Sequence, residues 1–105
     1  MDAIFRALAD KSRRHLLDRL HARGGWTLGE LCEGLNMSRQ AVTKHLAILE
    51  DANLIATKKR GREKLHFLNP VPINDIADRW IGKFDRERLT ALADLKRNLE
   101  GQTDD

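Results

Sequence analysis

The sequence predicts a mainly α-helical fold that carries one small β-hairpin. Three observations predict it. Apolar residues recur at helical spacing along most of the 105 residues. Asp10, Thr27 and Ser38 each stand just before such a run, where a side-chain oxygen satisfies the first free amides. The pattern changes character once, after Asn53, into two short runs around Gly61. A chain of this length has room for one core, so residues 1–105 read as a single domain.

Residues 1–23 open with Ile4, Phe5 and Leu8, followed beyond Asp10 by Leu16, Leu17 and Leu20. This spacing predicts a short helix, a kink and a second helix that ends at Gly24 and Gly25. Residues 27–52 follow. Thr27 and Glu30 have the spacing of a capping box, and Leu28, Leu31, Cys32 and Leu35 share one helical face. Asn36 and Met37 form a tight connection to Ser38, after which Val42, Leu46 and Leu49 line a helix that runs to about Ala52. Two short helices joined by such a turn are the helix-turn-helix plan.

Residues 54–69 are a hairpin, with strands from Leu54 to Lys59 and from Lys64 to Leu68 around Arg60, Gly61 and Arg62. A basic hairpin directly after a helix-turn-helix is a wing. Pro70 and Pro72 close it. Over residues 72–100, Ile73, Ala77, Trp80, Phe84, Ala91, Leu95 and Leu99 form a stripe near 3.5 residues per repeat, which predicts one long helix or two broken near Gly82. Residues 101–105 are a tail. That stripe is too long for a small body to cover, and exposing Trp80 and Phe84 would forfeit about 1.5–3 kcal/mol each. The simplest cover is the same helix of a second copy.

The net charge is +3, and its distribution is uneven. Ser38 to Asn69 holds seven Lys and Arg against three Asp and Glu, a local +4, beside a C-terminal third with an acidic excess. A basic middle of this kind suits a polyanion. On the Ser38 helix, the face opposite Val42, Leu46 and Leu49 carries Arg39, Gln40, Thr43, Lys44 and Ala47, with no acid until Glu50. Arg and Gln make paired hydrogen bonds to guanine and adenine edges, and a Thr methyl or an Ala fits against a thymine methyl. In the wing, Lys58, Lys59, Arg60, Arg62 and Lys64 stand against Glu63 alone, a composition suited to phosphate neutralisation. Lysines on an exposed hairpin also protect its edges. His45 flanks the apolar stripe and reads equally as a packing residue or a phosphate contact.

Other function classes find little support. No nucleophile, acid and base come together, so the chain reads as no enzyme, and no cofactor is expected. The lone Cys32 forms no internal disulfide, and His15, His21, His45 and His66 lack zinc-site spacing. No apolar run would span a membrane and no signal peptide is visible, which points to the cytoplasm and no membrane partner.

FRALADKSRRHLLDRL, TLGELCEGLNMSRQAVTKHLAILEDANLI and TKKRGREKLHFLNP together resemble the ArsR-type (ArsR/SmtB-like) family of bacterial winged helix-turn-helix repressors, from Ile4 to Leu99. Lys11 departs from the usual proline. The resemblance implies a homodimer built from the first and last helices, here Ile4, Phe5, Leu8, Ile76, Trp80, Ile81 and Phe84. It also implies that double-stranded DNA is read by the helix carrying Ser38, Arg39, Gln40, Thr43, Lys44 and His45, with the wing on the backbone. The family's metal sensors use a cysteine pair in the third helix or His and Asp ligands in the last. This sequence has one cysteine there and no His or Cys after His66, so a metal-independent branch is expected. The alternatives are a winged-helix protein-association module, or a regulator gated through a small-molecule effector or through Cys32.

Overall fold

The computed structural model describes residues 1–80 and 86–102, with side chains over 1–80 and 90–100. Six helices and two strands run in the order α1 (Asp2–Leu8), α2 (Lys11–Ala22), α3 (Leu28–Cys32), α4 (Arg39–Asp51), β1 (Ile55–Arg60), β2 (Glu63–Leu68), α5 (Val71–Trp80) and α6 (Arg86–Gln102). The fold is therefore mostly helical with one antiparallel hairpin. It divides into two compact units, Met1–Pro72 and Ile73–Asp105.

Local chemistry explains where the helices begin. The Asp10 carboxylate accepts from the Arg13 amide at 3.1 Å and starts α2. At α3 both halves of the capping box form: the Glu30 amide donates to Thr27 Oγ1 at 3.2 Å, and the Thr27 amide donates to Glu30 Oε1 at 3.0 Å. Ser38 Oγ accepts from the Ala41 amide at 3.1 Å and starts α4. The end of α4 is set by Asn53, whose φ of 62° lies in the left-handed region that Asn tolerates better than most residues. Its reversal returns the Leu54 amide to the Leu49 carbonyl at 2.9 Å.

The core of the first unit is apolar and closely shared. Leu16, Leu31, Val42, Leu49 and Leu54 are fully buried, and Ala7, Leu17, Leu20, Leu46, Ala52 and Ile55 join them. Ile4, Leu8, Leu28, Cys32 and Leu35 pack around this cluster, half-buried. On α2 and α4 the helical faces expected from periodicity are the buried ones, whereas Phe5 of the expected first face is exposed.

Strand boundaries differ from the expected ones by a single residue: Leu54 belongs to the turn that closes α4, and the strands run on to Arg60 and from Glu63. Only Gly61 and Arg62 remain at the tip, with Gly61 at φ 63°. The base of the hairpin is joined to a further piece of backbone. Trp26 bridges His66 in antiparallel fashion, the His66 amide donating to the Trp26 carbonyl at 2.8 Å. The two glycines before Trp26 serve this bridge, since α2 already ends at Ala22. A Cβ on Gly24 would lie 2.7 Å from the Phe67 ring, so the hairpin seats itself on that glycine.

In the second unit α6 exposes Leu92, Leu95 and Leu99, and Trp80 at the end of α5 is 43% exposed with the Arg79 guanidinium near its ring. Residues 81–85, which include Ile81, Phe84 and the expected break near Gly82, lie outside the described residues, as do 103–105 of the tail.

Two carboxylates at helix starts set an acid dependence. Hydrogen bonding from the Thr27 amide, aided by the Arg23 guanidinium, holds Glu30 below its ordinary 4.5, and the Arg13 amide does the same for Asp10. A depressed carboxylate stabilises the fold above its ordinary value and loses that contribution as pH falls through the lower folded value. Glu30→Gln should therefore lower the urea midpoint at pH 7, with the difference from wild type closing as the pH drops through the carboxylate range. Within the core, Leu49→Ala should destabilise by about 2–5 kcal/mol, measured by the same denaturation.

Candidate nucleic-acid interface

Burial of Val42, Leu46 and Leu49 turns the other side of α4 outward, because the side chains of one helix share its rotation. Arg39, Gln40, Thr43, Lys44 and Ala47 are all exposed there. Thr43 Oγ1 donates to the Arg39 carbonyl at 2.9 Å, which commits its hydroxyl proton to the helix and leaves the methyl as its outward chemistry. Ser38 serves the backbone as a cap. His45 stands apart from this row, half-buried, with Nδ1 3.2 Å from an Arg13 guanidinium nitrogen.

The wing and the α4 row face a shared cleft of about 490 Å³, lined by Arg39, Thr43 and Ala47 on one side and Arg62 and Lys64 on the other. The start of α3 contributes Thr27, Leu28 and Gly29. The hairpin register sets Lys59 opposite Lys64 and Arg60 opposite Glu63. Like charges directly across a strand pair cost stability. Glu50, half-buried at the end of α4, relieves one of them by holding Lys64 at 2.9 Å. Arg60 pairs with Glu63 at 3.4 Å. Among the described residues, Lys58, Lys59 and Arg62 have no carboxylate within ion-pair distance, so the five wing cations fall into three open and two paired.

Periodicity did not reveal the residues that fix the wing to the body. The His66 ring is buried, with Nδ1 2.9 Å from the Trp26 carbonyl, so Nδ1 carries the proton. Its other nitrogen lies 3.8 Å from Glu50 Oε1, beside the Lys64 pair. Trp26 donates its indole N–H to the Arg19 and Arg23 carbonyls and sits under both guanidinium groups. The Trp26–His66 contacts cross 40 residues of chain, and the only trace of them in the sequence is a polar His inside an apolar strand. Of the residues expected at an interface between copies, Ile4 and Leu8 pack on the core, Phe5 is 44% exposed, and Ile76 is half-buried. Cys32 is half-buried against the core, and among the described residues no three His, Cys, Asp or Glu side chains gather as a metal site would. No helix among them is long and apolar enough to cross a membrane.

A short turn between two helices, an outward polar row on the second, and a basic hairpin beside it define a winged helix-turn-helix transcriptional regulator that binds DNA, not an enzyme. A family described as helix-turn-helix domain matches residues 8–58. The uncharacterized HTH-type transcriptional regulator YuzN of Bacillus subtilis is 41% identical over 86 residues, covering 76% of this chain and 94% of that protein. The transcriptional repressor SdpR of Bacillus subtilis is 33% identical over 84 residues, 80% of this chain and 91% of that one. Among solved structures, an ArsR-like transcriptional regulator from Rhodococcus sp. RHA1 superposes with a TM-score of 0.70 at 30% identity, over 95% of this chain and 90% of that one. The chain belongs to the ArsR-type family of winged helix-turn-helix regulators.

The division of wing cations makes a measurable difference. Arg62→Ala should reduce the slope of log affinity against log salt by about 1, as loss of an open phosphate contact does. Lys64→Ala should change it less, because Glu50 already neutralises that charge.

Proposed function

We propose that the protein is a homodimeric repressor acting in the cytoplasm, which occludes a promoter by binding an inverted-repeat operator without a metal-sensing site. The observation that carries this reading is the α4 row: Arg39, Gln40, Thr43 and Lys44 exposed together, free of carboxylates, and flanked by a wing with three open cations. Arg39 and Gln40 read base edges, Thr43 and Ala47 admit close approach, and Lys44 with Lys58, Lys59 and Arg62 meets phosphate. Repression rests on relatives such as SdpR, which carries that description.

Dimerisation is supported by apolar side chains that a monomer leaves in water. Phe5 on α1, Trp80 on α5, and Leu92, Leu95 and Leu99 on α6 are all exposed in the single chain. Two copies related by a two-fold axis would set their recognition helices about 34 Å apart, one turn of duplex. Metal independence rests on Cys32 being the only cysteine and on the absence of His or Cys after His66.

Selection of preferred sites from random duplex DNA at near-physiological salt tests the reading directly. An enriched inverted repeat supports it, while a folded dimer that enriches nothing would sink it in favour of a protein-association module. Gln40→Ala should relax preference at one or two base positions, in contrast to the uniform loss expected of Arg62→Ala. Replacing Trp80 and Phe84 together by Ala should yield monomers in sedimentation that lose most operator affinity.

A further inference from the structure

One carboxylate stands in line with the outward row of α4. Arg39, Thr43, Ala47 and Glu50 follow one another at helical spacing, and all four line the cleft shared with the wing. Glu50 ends this line, half-buried, and both of its oxygens are taken by the ammonium of Lys64 on β2, Oε1 at 2.9 Å and Oε2 at 3.2 Å. Among the described residues no other Lys or Arg lies within ion-pair distance of it, and the buried His66 ring is 3.8 Å from Oε1. We propose that Glu50 is a specificity-determining residue that withdraws Lys64 from phosphate and keeps the DNA backbone out of the cleft, a role that rests on the DNA-binding reading above.

The arrangement of charge in the cleft carries the proposal. Of the cations that line it, Arg39 and Arg62 have no carboxylate within ion-pair distance among the described residues, whereas Lys64 does. The other acid on the lining, Glu63, pairs with Arg60 at 3.4 Å. Three open cations together would attract phosphate, which every duplex presents whatever its sequence. Pairing Lys64 removes one of the three, and the carboxylate adds a cost to any phosphate laid against it. A docking that sets base edges against Arg39, Thr43 and Ala47 avoids that cost. Discrimination grows when the wrong docking is made worse, as well as when the right one is made better.

A carboxylate on a recognition helix can also accept from the amino group of cytosine. In Glu50 both oxygens already accept from Lys64, and its side chain is only 29% exposed. Its partner is the wing, and its effect on DNA is through charge. The two uses differ in what they do to binding. A base reader acts on one position of the site, whereas a masking carboxylate acts on every duplex alike.

Salt titrations of binding to a random duplex test the role, with a duplex enriched by selection as the second probe. Glu50→Gln should steepen the random-duplex slope by about 1, because Lys64 then counts as an open contact, and should raise random-duplex affinity about fivefold at roughly 50 mM salt. Affinity for the enriched duplex should rise less, so the ratio of enriched to random affinity falls. Lys64→Ala should lower the slope by well under 1 in the wild-type chain and by about 1 in the Glu50→Gln chain. Random-duplex binding unchanged in Glu50→Gln, a ratio that does not fall, or an equal loss of slope on removing Lys64 from either chain overturns the proposal. So does a new preference at a single base position in the sites that Glu50→Gln selects, which would make Glu50 a base reader. Urea midpoints and helical spectra check that the variants fold. Should Glu50→Gln not fold, a slope lowered by about 1 in Lys64→Ala alone overturns the masking, and a smaller drop supports it. Wild-type protein without salt-dependent affinity for any duplex would overturn DNA binding itself and this role with it, whereas wild-type binding with no coupling between Glu50 and Lys64 overturns the role alone.

Discussion

The molecule depends on one constraint, the burial of the inner face of α4. Val42, Leu46 and Leu49 insert among Leu16, Leu31 and Leu54, and no other helix touches so many elements of the first unit. Each buried Leu or Val is worth about 1.5–3 kcal/mol relative to exposure, far more than any surface ion pair in the chain. The rotation of α4 is therefore fixed by hydrophobic packing. The outward row follows as a geometric result.

Arginine does a second kind of work in this chain. Arg13, Arg14 and Arg19 all direct guanidinium hydrogens at backbone carbonyls of a neighbouring segment: Arg6, Ala7 and Leu8 at the end of α1, and Leu31 and Glu33 around the end of α3. Helix ends leave carbonyls unsatisfied and carry partial negative charge, so cations there stabilise both. Arg13, Arg14 and Arg19 are thereby absorbed into the fold, while Lys58, Lys59 and Arg62 of the wing stay available. Net charge alone does not separate the two uses.

What could be read from the sequence was local. Asp10, the Thr27–Glu30 box and Ser38 announce helix starts because a cap acts over three residues, and Val42, Leu46 and Leu49 announce a buried face because a helix repeats every 3.6. The outward row on α4 followed from the same arithmetic. Contacts between distant segments left no such trace. Trp26 with His66, Glu50 with Lys64, and Arg13 with His45 depend on how helices and hairpin pack, and periodicity says nothing of that. Gly24 and Gly25 show the difference clearly: read locally they stop a helix, whereas in the fold they make room for Phe67 and for the bridge at the wing's base.

The wing's attachment has a mechanical consequence. At its root, β2 is bonded on one edge to β1 and on the other to Trp26, and the His66 ring adds a third hold. Toward Gly61 the backbone ladder joins the two strands to each other, Lys64 reaches back to Glu50 on α4, and open space surrounds the glycine. Such a ribbon is a cantilever, stiff where it leaves the body and compliant at its free end. The grooves of duplex DNA vary in width with sequence. Under the proposed function, a root clamped in this way would hold the hairpin beside α4 while its tip met grooves of different width.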